Sequence, residues 1–386
     1  MSLQTISSLQ TWSDVKFYFS GDGYFQSVFE RIQLAVREIR IEMYMFNFDE
    51  LGRAVLEHLK QARLRGVDVY LLVDGIGSIG FLADLDDYCR KNNIHFKIYH
   101  PLPIKLRFLQ RFSFKALTWK NIRWFFIMFR KINNRDHRKV ILIDKKIAFV
   151  GSQNITKVHS ETLSQEKAWR DTGVEVQGPP VEQLVSSNDF AWNKAKKDGL
   201  VYSWKLHDHV LHLSARRKHR LSRVRHLIQS IKLAKRRVLI TTAYFLPNRR
   251  IVRALSQAAK HGVEVSLCLP AKSDMPFMKW TSWLLYDRLL KAGVQIYEYQ
   301  DRILHAKSLI IDDWGTVGTY NFNHRSLIHD LEVEVVINQP QWIEKLEKQW
   351  WLDLKKSKLI KPDGKGYSNI FLRLIANVFY WFRYWL

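Results

Sequence analysis

Residues 136–144 read "DHRKVILID", a polar head on an apolar body. Val140, Ile141, Leu142 and Ile143 form an aliphatic run rich in β-branching, which predicts a buried strand. Side chains alternate along a strand, so His137 and Lys139 share one side and Arg138 takes the other. An imidazole and an ammonium therefore stand together where the strand begins. On its own, such a pair also fits a solvated strand end.

The pattern recurs. Residues 304–312 read "LHAKSLIID", where His305, Lys307 and Asp312 repeat the spacing of His137, Lys139 and Asp144. The sequels match as well. "FVGSQN" (149–154) and "TVGTYN" (316–321) each give a glycine, a small hydroxyl residue (Ser152 or Thr319) and an asparagine (Asn154 or Asn321). Two sparse polar patterns with the same tail mark an internal repeat.

The repeat extends upstream. The stretches from Ile39 and from Val238 both read as strand, loop, amphipathic helix, glycine, strand. Gly66 and Gly262 stand where a helix C-cap glycine is expected. Val67–Val73 and Val263–Leu269 are largely apolar, as in strands covered by helices. The expectation is an α/β fold of two tandem repeats, each a mixed sheet flanked by helices, packed with pseudo-two-fold symmetry and both motifs at the seam. The join falls near 200–220, where "SARRKHRLSR" is polar and basic. The expected domains are 1–205 and 206–368, followed by a terminal segment 369–386.

Spacing exposes an insertion. Gly66 lies 71 residues before His137, but Gly262 lies 43 before His305, an excess of 28 in the first half. Residues 102–131 account for it. They interleave Phe and Trp with Lys and Arg and contain no acid. This composition suits an amphipathic element in a membrane interface. Residues 369–386, apolar and aromatic with Arg373 and Arg383, suggest a second interfacial helix, too interrupted by charge to span a bilayer.

With 61 Lys+Arg against 37 Asp+Glu, the chain carries a net charge of +24. Such a charge points to nucleic acid or an anionic membrane. The aromatic runs favour an anionic phospholipid bilayer, with no nucleic acid expected. Cys89 and Cys268 imply neither a disulfide framework nor a zinc site. The N-terminus lacks the basic-then-apolar pattern of a signal peptide. A peripheral or monotopic protein on the cytoplasmic face of a membrane is expected. The sequence leaves the oligomeric state open.

Juxtaposed, the motifs give two imidazoles, two ammoniums and two amides, a pocket suited to a phosphodiester. One neutral imidazole can attack phosphorus while the other, protonated, donates to the leaving oxygen and then activates the next nucleophile. Lys139, Lys307, Asn154 and Asn321 can hold the nonbridging oxygens, with Ser152 and Thr319 beside the substrate. This chemistry calls for no metal and no cofactor. Glu42 and Tyr44 either border the pocket or pack at a strand end. His324, His329 and the histidines of 205–213 read as surface or capping residues.

These motifs resemble the paired HxKxxxxD motifs of the phospholipase D superfamily. "WRDTGVEVQGPPV" (169–181) and the stretch 42–78 look like bacterial cardiolipin synthases, with the likeness running over about residues 15–350. The resemblance implies that His137 is the nucleophile and His305 the acid/base. It also implies that Asp171 and Glu332 each support the imidazole of the opposite half, as an acid partner fixes a tautomer. Asp144 and Asp312, after the strands, read as structural. The implied activity is phosphatidyl transfer from phosphatidylglycerol or a similar donor to form cardiolipin or a related phospholipid, through a phosphohistidine. Hydrolytic phospholipase D, a nuclease of the superfamily and a non-enzymatic membrane scaffold are the alternatives, although a scaffold needs neither histidine. Asn323 and Gln177 stand where the family often has acids.

Overall fold

The computed structural model describes residues 11–101, 134–193, 210–214, 217–361 and 376–380. The insertion 102–131 and most of 369–386 lie outside the described residues.

The first half contributes strands β1 (Asp14–Tyr18), β2 (Glu38–Met43), β3 (Asp68–Asp74), β4 (His95–Tyr99), β5 (Lys139–Ile143), β6 (Ile147–Gly151) and β7 (Gly173–Gln177). Its helices are α1 (Gly21–Leu34), α2 (Glu50–Leu64), α3 (Leu82–Lys91), the short α4 (Glu161–Ser164) and α5 (Val181–Asn193). The second half contributes β8 (Leu211–Leu213), β9 (Arg237–Thr241), β10 (Phe245–Leu246), β11 (Glu264–Pro270), β12 (Gln295–Tyr299), β13 (Ser308–Ile311), β14 (Trp314–Gly318), β15 (Phe322–Asn323), β16 (Val333–Ile337) and β17 (Ser357–Leu359). Its helices are α6 (Arg217–Leu233), α7 (Arg249–Lys260), α8 (Pro276–Leu290), α9 (His324–Ile328) and α10 (Pro340–Lys355).

The first sheet runs β1-β7-β6-β5-β2-β3-β4. The second runs β8-β16-β14-β13-β9-β11-β12 with β17 added at the end. The two orders match strand for strand. In each sheet the central βαβ unit is parallel and the motif hairpin antiparallel. The repeat read from sequence is thus a repeat of topology.

Alternation along β5 explains how the sheets meet. Ile141 and Ile143 join a core with α1 and α2 on the outer face. Val140 and Leu142 join a core shared with Ile310, Val317 and Val335 of the other sheet. Both faces of β5 are buried, so its run is apolar without interruption. Gly66 (φ 90°) and Gly262 (φ 85°) end α2 and α7 in the left-handed conformation that glycine adopts most readily.

Residues 217–233, which run on from the basic join, form α6. Val224, Leu227 and Ile231 recur at helical spacing and are buried against the second sheet, which makes the segment amphipathic despite its charge. At the other end of the chain, 376–380 are helical. Ala376 is buried and Phe379 stacks on Phe277 of α8, while Val378 is exposed.

Candidate active site

Each motif histidine sits just before its strand, and its backbone is tied to the opposite half. The His137 N–H donates to Leu331 O (3.0 Å) and the Leu331 N–H to Arg135 O (2.9 Å). The His305 N–H donates to Arg170 O (2.8 Å) and the Arg170 N–H to Ile303 O (2.8 Å). Leu331 precedes Glu332 and Arg170 precedes Asp171, so each bridge delivers a carboxylate. Glu332 Oε1 lies 3.0 Å from His137 Nδ1. Asp171 Oδ1 lies 2.8 Å from His305 Nδ1. With Nδ1–H donating to a carboxylate, Nε2 of each ring is left as the basic nitrogen. Asp74, at the end of β3, fixes the approach to the first motif. It pairs with the fully buried Arg135 (2.9 Å) and accepts from the Asp136 N–H (3.0 Å).

Each lysine reaches back to its own motif histidine. Lys139 Nζ donates to His137 O (2.7 Å) and Lys307 Nζ to His305 O (2.6 Å). Burial pulls Lys139 down to about 7, helped by repulsion from Lys307. Burial likewise pulls Lys307 to about 8, against the pull of Asp171 and Glu332. Burial holds both imidazoles in the neutral form. His137 falls well below its ordinary value, with Lys139 and Lys307 adding to the effect, and His305 falls to about 3. The carboxylates diverge. Burial pushes Glu332 up to about 8, opposed by Lys139. Asp171 is buried too, yet stays well below the carboxylate range because His159 and His305 face it.

Tyr44 borders the pocket, with its ring 4.9 Å from that of His137. Glu42 does not. It is buried on the other side of β2 with Arg138 and Asn188. The Asn154 Oδ1 accepts from the Met45 N–H (3.3 Å). Asn321 is buried and its Oδ1 has no hydrogen-bond partner among the described residues. Ser152 and Thr319, expected beside the substrate, stand behind the two carboxylates. Both are fully buried, and their hydroxyls donate backward, Ser152 to Asp171 (2.6 Å) and Thr319 to Glu332. They brace the carboxylates. Asp144 accepts from the N–H groups of Val36, Arg37 and Glu38, and Asp312 from those of Lys235, Arg236 and Arg237. Each motif aspartate therefore ties the end of its strand to the chain entering the neighbouring strand. Asn323 caps α9 by accepting from the Ser326 N–H (3.0 Å), a task asparagine performs as well as aspartate.

Sequence reading missed His159. It is fully buried, and its Nδ1 lies 2.6 Å from Asp171 Oδ2. No spacing in the sequence flags it, because only the tertiary fold brings it to Asp171. His159, Asp171 and His305 are the one grouping among the described residues able to hold a metal ion, with ligand atoms within 4.8 Å. Both Nδ1 atoms already face the same carboxylate, which is hydrogen-bonded geometry.

Two buried imidazoles, each facing a carboxylate of the opposite half and each with a lysine on its own backbone carbonyl, form a site suited to a phosphodiester. The profile described as "Cardiolipin synthase, PLD-like domain" matches residues 28–179 and 227–353. Cardiolipin synthase of Clostridium perfringens (strain SM101 / Type A) is 31% identical over 361 residues, covering 89% of this chain and 71% of that protein. Cardiolipin synthase B of Salmonella typhi is 32% identical over 339 residues, covering 84% and 76%. In fold, the chain is similar to phosphatidylserine synthase of Haemophilus influenzae Rd KW20, with a TM-score of 0.72 at 14% identity over 99% of both chains. The chain belongs to the family of cardiolipin synthase phospholipase D-like domains and is an enzyme of the phospholipase D transphosphatidylase type, acting in phospholipid synthesis.

Proposed function

We propose that the protein is a membrane-associated phosphatidyltransferase that forms cardiolipin or a related phospholipid from phosphatidylglycerol or a similar donor. The observation that carries this reading is the crossed bracing of His137 by Glu332 and of His305 by Asp171, with Lys139 and Lys307 each bonded to the carbonyl of its own motif histidine. His137 Nε2 attacks the donor phosphorus. The P–O bond to the headgroup breaks, and protonated His305 gives its proton to the departing oxygen. The incoming lipid hydroxyl then loses its proton to His305 and attacks phosphorus, and the P–N bond breaks. Lys139 and Lys307 meet the charge on the nonbridging oxygens. The anionic phosphate raises the proton affinity of both lysines and of His305, offsetting their burial.

Charge supports an anionic bilayer as partner. Helices α6 and α7 carry ten Lys or Arg and no acid. Their counterparts α1 and α2 carry four of each sign. The fold does not require that difference. No described helix is long and apolar enough to cross a membrane. We assign 102–131 and 369–386 to the bilayer interface, the halves to 1–205 and 206–368, and the protein to the cytoplasmic face of a bacterial membrane.

Mass spectrometry of products tests the reading. Purified protein is given phosphatidylglycerol with and without phosphatidylethanolamine. Cardiolipin is the expected product. Phosphatidic acid alone would instead mark a hydrolytic phospholipase D, and cleavage of single-stranded DNA without lipid turnover a nuclease.

A further inference from the structure

The two carboxylates that brace the imidazoles are not braced alike. Glu332 lies beside the hydroxyls of Thr319 and Ser326. Asp171 takes the Ser152 hydroxyl and, on its other oxygen, the imidazole of His159. His159 and Ser326 occupy the same place in the repeat, each eight residues after the glycine of its motif tail, Gly151 or Gly318. A hydroxyl therefore suffices at this position in one half, while the other half carries a buried ring. The His159 ring pays a penalty there, since its Nε2 is buried without a hydrogen-bond partner among the described residues. Its ring lies 5.4 Å from that of His305, and Trp169 packs against both. The result is a linear relay: His159 Nδ1, 2.6 Å to Asp171 Oδ2, then Asp171 Oδ1, 2.8 Å to His305 Nδ1.

We propose that His159 is a positioning residue for the transfer reaction, holding Asp171 as the fixed anionic partner of His305 and thereby controlling proton transfer between His305 and the reacting oxygens. Three side-chain donors on one buried carboxylate leave it one orientation and favour its charged form. A carboxylate locked in that state stabilises the imidazolium that must form when His305 takes a proton from the incoming hydroxyl. With the His159 donor removed, Asp171 can rotate off His305 or share its proton, and His305 becomes a poorer acid and base. This inference rests on the assignment of His305 as the acid/base under the proposed function.

A leaving-group comparison tests it on the full chain. In mixed micelles, phosphatidyl-p-nitrophenol and phosphatidylglycerol serve as donors to the parent and to His159→Ala, His159→Asn and His305→Ala. Nitrophenolate departs without a proton, so its pre-steady-state burst reports attack at phosphorus alone, and the burst amplitude counts folded sites. The expected result for His159→Ala is a burst rate within about twofold of the parent and phosphatidylglycerol turnover slowed at least tenfold, within the range of acid–base assistance. His159→Asn, which offers an amide N–H near the position of Nδ1, should recover most of the loss. His305→Ala should show the same discrimination more strongly. Equal losses on both donors in His159→Ala, or no loss on phosphatidylglycerol, would overturn the positioning role while His305→Ala still discriminates. If His305→Ala slows the burst as much as the turnover, the acid/base assignment fails and the inference fails with it.

Discussion

The aspartate that closes each motif should matter to folding and not to chemistry. Asp144 stands at the end of β5 with φ 52°, a left-handed conformation, and accepts three backbone N–H bonds of 3.0, 2.7 and 3.0 Å. Hydrogen bonds to a charged group are worth about 1.5–3 kcal/mol each when buried. Two of these three N–H groups belong to exposed residues and can turn to water, so about 2 kcal/mol in total is the reasonable loss. Alanine adds roughly 1 kcal/mol for a Cβ in the left-handed region, which Asn and Asp tolerate better. Asp144→Ala should therefore cost about 3 kcal/mol, and Asp144→Asn, which keeps one acceptor oxygen, about 1 kcal/mol. A chain of 386 residues unfolds with an entropy of roughly 0.8 kcal/mol/K, so the alanine variant should melt about 4 °C lower. The Asp144 carboxyl lies below its ordinary range because these N–H donors outweigh its partial burial. Its stabilisation is then fully present above the unfolded value near 3.9 and lost as pH falls through the lower folded value. The gap between parent and alanine variant should begin to narrow below about pH 4 and shrink toward the roughly 1 kcal/mol left-handed penalty as pH falls through the folded value. The assays are thermal melts at pH 7 and pH 3.5 with turnover on a soluble phosphodiester at 20 °C. A variant that melts like the parent but has lost turnover would refute the reasoning and move Asp144 into the reaction.

Three further outcomes are expected. His137→Ala and His305→Ala should each cost overall transfer at least ~10²–10⁴-fold, and a trapped phosphoenzyme should be labile in acid and stable in base; label on Ser152 or Thr319 would contradict the assignment. With Lys139 near 7 and Lys307 near 8 in the protein alone, affinity for a phosphonate diester should fall as pH rises through that range, since only the protonated amines attract the anion; a flat inhibition profile from pH 6 to 9 would contradict it. Dialysis against a chelator should leave turnover unchanged, because the His159–Asp171–His305 donors are already spent on one another; activity lost to chelation and restored by zinc would place a metal there.

The repeat was legible because its chemistry and its scaffold use different alphabets. His137, Lys139 and Asp144 are polar marks at fixed offsets around an apolar strand, and Gly66 and Gly262 punctuate both halves at one point. Positions whose meaning depends on the fold were not legible. Ser152 and Thr319 look like substrate ligands in one dimension, and only the seam reveals that they face the carboxylates. The buried partners of Arg135, Asp74, Arg138 and Glu42 carry no mark in the sequence, since such residues are seldom fully buried unless paired. Here they are paired. The basic join concealed α6 because its Lys and Arg masked a buried stripe. His159 had no motif to belong to.

Each half taken alone holds a histidine without its carboxylate and a carboxylate without its histidine. A single repeat could satisfy both only by pairing with a copy of itself through the same face, as isologous dimers do, and the two rings would then be compelled to stay alike. Joining two repeats in one chain lifts that compulsion. One half is free to set Asp171 against a second imidazole while the other sets Glu332 against hydroxyls. Division of labour between nucleophile and proton carrier is, in these terms, a broken symmetry, and His159 standing where the other repeat has Ser326 is one of the places where it breaks.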